Sequence, residues 1–91
     1  MAKVIIVAQC KDPQKWEKGF RTHGNLFRSQ TVTRPIGYGV NGNEVAVCLE
    51  PADLDVCMKI MNSPVTAEAM EFDGLLRDTV KMFVLERELE L

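Results

Sequence analysis

Four side chains between Asp12 and Ser29 restrict the fold more than any others. Trp16, Phe20, His23 and Phe27 follow one another at spacings of four, three and four, which places them on one stripe of a helix. Lys15, Glu17, Lys18, Arg21 and Arg28 take the flanks. Asp12-Pro13 is a sound helix start: the carboxylate can cap the first amides, and proline suits the first helical position. The spacing therefore predicts one helix over Asp12–Ser29, with three large aromatics and the chain's only histidine on its inner side. Such a face must lie on an apolar layer.

The neighbouring strands supply that layer. Lys3 to Cys10 is β-branched and apolar on both faces, the mark of a strand covered on two sides. Gln30 to Val40 resumes strand character, with Pro35 holding it to an edge or an irregular start. Val40-Asn41-Gly42-Asn43-Glu44 reads as a hairpin with a type I′ turn, and Glu44 to Glu50 as the return strand before Pro51. Asp53 opens a second helical region with Leu54, Cys57, Met58 and Met61 on one side. Ser63-Pro64 restarts it through Met70 to Asp73, and Gly74 closes it in a left-handed cap. Val80 to Leu85 is the last strand, and alternation from Glu86 to Leu91 predicts that the extended conformation continues.

The order is strand, helix, strand, strand, helix, strand. Two right-handed strand–helix–strand units give an α+β, ferredoxin-like βαββαβ domain over residues 1–91, a four-stranded antiparallel sheet with helices on one face. Alternation then sorts side chains between the faces. Val4, Ile6, Ala8 and Cys10 form one row, and Ile36, Tyr38, Val40, Val45, Val47 and Leu49 are the bulky partners that belong under the helices. Ile5, Val7, Gly37, Gly39, Ala46 and Cys48 make the other face apolar yet paved with small groups. A monomer would leave that face as a large exposed patch, so a symmetric homodimer, sheet on sheet, is predicted. Burying several hundred Å2 per subunit at about 25 cal/mol per Å2 contributes on the order of ten kcal/mol before association costs.

Composition narrows the function. Eleven basic against thirteen acidic side chains give a net charge of −2, which speaks against a nucleic-acid partner. No apolar run reaches membrane-span length, and Met1-Ala2-Lys3 leads straight into a strand without a signal peptide, so a cytoplasmic location is the expectation. Cys10, Cys48 and Cys57 are odd in number and lack metal-ligand spacing; they read as small buried hydrophobes in a reducing compartment, and no metal or cofactor is predicted.

On the order of its elements, on Lys11-Asp12-Pro13 and on Ser63-Pro64 followed by Ala67, Glu68, Ala69 and Met70, the chain resembles the dimeric α+β barrel superfamily. That superfamily includes antibiotic-biosynthesis monooxygenases, stress-responsive barrel proteins and small polyketide cyclases. The resemblance implies a homodimer holding a small apolar molecule, such as a fatty acid or polyketide, between sheet and helices. It puts His23 where some members carry a polar pocket residue. No catalytic set of a characterised branch matches, the Asn, Trp and His constellation of heme degradation included.

The predicted ligand-binding side chains are Val4, Ile6, Ala8, Trp16, Phe20, His23 and Phe27 from the first half, with Ile36, Tyr38, Val45 and Val47 from the hairpin. Met58, Met61 and Met70 complete the set, as thioethers that adapt to a flexible guest while also serving as core. His23 and Tyr38 are the catalytic candidates: a histidine and a tyrosine in an apolar pocket could shuttle protons in a cofactor-independent monooxygenase or cyclase-like reaction, or merely orient a guest. Equally, His23 could be a core histidine satisfied by a backbone carbonyl or by Tyr38. Arg34 and Arg77 read as solvated charges, and Gln9 and Cys48 as dimer-face residues. A third reading has no pocket at all and a role through the dimer surface alone.

Overall fold

A computed structural model describes residues 3–91. Met1 and Ala2, read above as the lead-in to the first strand, lie outside the described residues. The chain runs β1 (Lys3–Gln9), α1 (Pro13–Phe20), α2 (Gly24–Ser29), β2 (Gly37–Asn41), β3 (Glu44–Leu49), α3 (Leu54–Met61), α4 (Pro64–Phe72) and β4 (Lys81–Leu85). The strands form one antiparallel sheet in the order β2-β3-β1-β4, the ferredoxin-like arrangement.

Register sorts the side chains as alternation requires. Val4 faces Leu49, Ile6 faces Val47 and Ala8 faces Val45, and all six are buried beneath the helices with Trp16. The opposite face carries rows formed by Gly37, Cys48, Ile5 and Phe83, and by Gly39, Ala46, Val7 and Lys81. No element of the described residues covers these rows, and Phe83 is half exposed.

Three local expectations are corrected. The stripe from Asp12 to Ser29 is two helices, not one. Asp12 caps α1 as predicted, its Oδ1 accepting from Gln14 N at 3.0 Å. After Phe20, however, Thr22 N and Thr22 Oγ1 both donate to Gly19 O, at 2.9 and 2.7 Å, and His23 N donates to Phe20 O. These tight turns end α1, and Gly24 starts α2. The aromatics still meet: Phe20 lies 4.9 Å from Trp16 and 5.4 Å from Phe27 between ring centroids.

The second strand begins at Gly37, not near Gln30. Gln30 caps α2, and Thr31 follows with φ of 66°, a costly left-handed conformation for a β-branched residue. Thr31 is held there by Asp53. Its Oγ1 accepts from Asp53 N at 2.9 Å and donates to Asp53 O at 3.2 Å, while Ala52 N donates to Thr31 O at 2.9 Å. In the hairpin only Gly42, at φ of 62°, is left-handed, and Asn43 is not; that is the pattern of a type II′ turn, not type I′.

The second helical region divides as predicted, at Asn62-Ser63-Pro64, with Asp53 capping α3 and Gly74 left-handed at φ of 79° after α4. Ser63 Oγ donates back to Ile60 O at 2.5 Å and leaves the α4 amides uncapped. Beyond Leu85 the chain joins no strand of the sheet.

Candidate functional site

Between the sheet and the helices lies a cavity of about 60 Å3. Its floor is Ile6, Ala8, Val45 and Val47, and its walls include Trp16, Phe20 and Phe27 on one side and Met61 and Met70 on the other. An apolar cavity of about 150 Å3 accommodates benzene. This one is smaller, and two of its lining side chains, Met61 and Met70, are flexible thioethers.

Two polar features break the apolar lining. The first is a hydrogen-bonded pair. His23 Nε2 lies 3.1 Å from Asp73 Oδ1 and 3.0 Å from Oδ2. The Asp73 side chain is only 5% exposed and that of His23 20%, so the contact is largely withdrawn from water. Backbone geometry delivers Asp73 to this place. The left-handed Gly74 turns the chain out of α4, and Lys11 N donates to Gly74 O at 3.1 Å, tying the end of α4 to the end of β1. On the other side, α1 has a gap at Gly19, where a Cβ would stand 2.8 Å from Asp73 Cγ. Only a glycine admits the carboxylate there.

Burial pushes the Asp73 carboxyl above the ordinary carboxylate range, and the hydrogen bond and charge of His23 pull it only part of the way back. A carboxylate against one imidazole nitrogen fixes the ring and leaves the other nitrogen to face a guest. Nδ1 makes no hydrogen bond among the described residues. The Phe72 ring stands edge-on to the imidazole at 6.4 Å and is itself 70% exposed.

The second feature is Gln30, fully buried at the cavity wall. Its Nε2 donates to Thr66 Oγ1 at 3.4 Å, and Thr66 Oγ1 donates to Ile60 O at 2.6 Å. Gln30 Oε1 is buried without a partner.

Of the side chains predicted from sequence, Ile6, Ala8, Trp16, Phe20, His23, Phe27, Val45, Val47, Met61 and Met70 line this cavity. Val4, Ile36, Tyr38 and Met58 do not. Val4 is buried in the core beneath it, and Ile36 packs on the core's edge. Tyr38 is not brought to His23. Its ring packs 5.0 Å from Phe20 and 5.7 Å from Trp16, with the Arg21 guanidinium 5.7 Å above it. Sequence reasoning missed Leu26, Gln30, Thr66, Ala69, Asp73 and Leu75. Asp73 had no sequence signal as a partner of His23, fifty residues away.

Arg34 and Lys3 share Glu50, at 3.7 and 3.5 Å, and Arg77 meets Glu71 at 3.5 Å. Burial raises the Cys10 and Cys57 thiols, which makes them poor nucleophiles. Among the described residues no group of three metal-ligating side chains forms, and no helix is long and apolar enough to cross a membrane.

No family model matches the chain, and no curated protein matches it in sequence. Solved structures do match. SnoaB, a cofactor-independent oxygenase from Streptomyces nogalater, superposes with a TM-score of 0.68 at 15% identity, over 99% of this chain and 94% of that one. An antibiotic biosynthesis monooxygenase superposes at 0.62 and 11% identity, over 98% of this chain and all of that one. The chain has the fold of the antibiotic-biosynthesis monooxygenases. A protein from Arabidopsis thaliana shares the same fold at a TM-score of 0.69 and 16% identity, with both chains covered completely. At such identities the monooxygenase likeness is one of architecture. The chemistry has to be argued from the cavity.

Proposed function

We propose that this protein binds a small, mainly apolar molecule in the cavity between sheet and helices, and that His23, oriented by Asp73, takes a proton from it. The observation that carries the proposal is the His23–Asp73 contact at 3.0 Å, largely buried at the wall of an apolar cavity. Polar pairs of this kind are costly in a core and concentrate where they do chemistry. The reaction class is cofactor-independent oxygenation: removal of a proton from an activated CH2 leaves an electron-rich guest, and dioxygen, the co-reactant, oxidises it to the carbonyl, one oxygen atom entering the guest and the other leaving as water with the two displaced hydrogens. The likeness to the oxygenase SnoaB supports that class. Positioned acid–base groups of this type contribute about 100- to 10,000-fold in rate.

A plain binding role is the second reading. It is favoured by the position of Tyr38, which leaves His23 without the second proton-handling side chain expected from sequence. In both readings the protein works as a homodimer, with the Ile5, Val7, Gly39 and Ala46 face of each copy covering that of the other.

Native mass spectrometry of the purified protein and oxygen uptake with small acidic probes, hydroquinone and 1,3-cyclohexanedione, test the proposal. Expected results are a retained guest that is lost in Met70→Trp, which fills the cavity, and uptake that falls at least about 100-fold in His23→Ala. Uptake unchanged by His23→Ala would leave the binding role alone. A cavity-filled variant indistinguishable from the parent in both assays would remove the cavity from either role.

A further inference from the structure

Gln30 sits where an amide has no structural reason to be. It is fully buried, lines the cavity one turn beyond Phe27, and has one end satisfied and one end not. Which end is which follows from Thr66. The Thr66 hydroxyl has a single hydrogen, and its 2.6 Å contact with Ile60 O, against 3.4 Å to Gln30, shows where that hydrogen goes. Thr66 Oγ1 is therefore an acceptor towards Gln30. The amide must present Nε2 to it, which leaves Oε1 as the unpaired atom. A buried carbonyl oxygen without a donor is costly, and a side chain of this volume could be apolar at no loss to the fold.

The backbone around Gln30 is fixed as well. The strained Thr31 that follows it is bonded to Asp53 through both its hydroxyl hydrogen and its hydroxyl oxygen, which pins the chain next to the amide.

We infer that Gln30 is the specificity-determining residue of the cavity, and that its carbonyl oxygen receives a hydrogen bond from a hydroxyl or amine of the guest. The ligand class is thus a small apolar molecule bearing an O–H or N–H group, a phenol or an alcohol in preference to a hydrocarbon, ether or ketone. The inference rests on the cavity being the binding site, as proposed above. It adds which polar group the guest must carry and which residue reads it.

The test is an NMR titration of the full chain with phenol (a donor), anisole (an acceptor only) and toluene (neither), in the parent protein and in Gln30→Met. The substitution keeps the volume and leaves no buried donor unpaired, since the Thr66 hydrogen stays on Ile60 O. It should fold at least as stably as the parent because it removes an unsatisfied oxygen. The affinity ratio of phenol to toluene is expected to fall about tenfold on going to Gln30→Met, equivalent to about 1.4 kcal/mol. The ratio of anisole to toluene should not change. An unchanged phenol ratio, or a loss of anisole preference in its place, would overturn the donor inference while leaving the cavity as the binding site. If none of the three shifts resonances of cavity residues in the parent, the binding site and this inference fall together.

Discussion

Replacing Gly19 by alanine gives the sharpest test of how the His23–Asp73 contact is built. In an ordinary helix this change stabilises, by about 1 kcal/mol, because glycine is the poorer helix former. Here the new Cβ would stand 2.8 Å from Asp73 Cγ and closer still to a carboxylate oxygen, so the carboxylate must leave. Its departure breaks the contact with His23 Nε2, a hydrogen bond to a charged group, which contributes about 1.5–3 kcal/mol. The difference is a net loss of about 0.5–2 kcal/mol, or roughly 2–16 °C in melting temperature for a domain of this size. Gly24→Ala is the control, since a Cβ there meets only the Arg28 guanidinium at ordinary contact distance, 3.5 Å and beyond. Calorimetry reads the stability. The imidazole resonances read the site without ambiguity, because the chain has one histidine. In Gly19→Ala they should shift, and in Gly24→Ala they should not. A Gly19→Ala protein as stable as the parent or more so, with unchanged imidazole resonances, would refute the account of Asp73 given above.

Two further outcomes are expected. Burial holds the Asp73 proton more tightly in the folded chain than in the unfolded one, so stability falls as pH rises from the ordinary carboxylate range through the higher folded value, then levels. Urea midpoints of Asp73→Asn should lack that fall, so the variant gains on the parent across the window; a difference independent of pH would contradict it. Ala46→Arg places a cation on the exposed, uncovered sheet face, where it is harmless to a monomer and intolerable between two stacked sheets. Light scattering should show a dimer for the parent and a folded monomer for the variant; parent and variant of equal mass would argue against sheet-on-sheet pairing.

The frame was legible because it depends on local signals. Asp12-Pro13, Asp53, Ser63-Pro64 and Gly74 mark helix ends, and the alternation of Val4, Ile6 and Ala8 with Ile5 and Val7 fixes the faces of the sheet. The apolar lining was legible for the same reason. The polar part of the site was not. His23 could be singled out as a lone histidine among aromatics, yet its partner depends on a gap at Gly19 and a turn at Gly74, a coincidence of three distant positions. Gln30 was hidden by the reading of a strand from that residue. The α2 helix instead ends there, and a threonine adopts a backbone conformation that propensity assigns to glycine. Tyr38 was put on the right face of its strand, but the aromatic cluster takes its ring before His23 can.

The clasp of Thr31 upon Asp53 has a mechanical consequence. It ties the end of α2, where Gln30 sits, to the start of α3, the helix that ends in Met61. The weak seam is the corner from Arg21 to His23, closed by short-range turns next to two solvent-facing residues. Amide hydrogens of Thr22 and His23 should therefore exchange faster than those of Ala52 and Asp53. An opening at that corner would lie beside the imidazole of His23, whose ring lines the chamber.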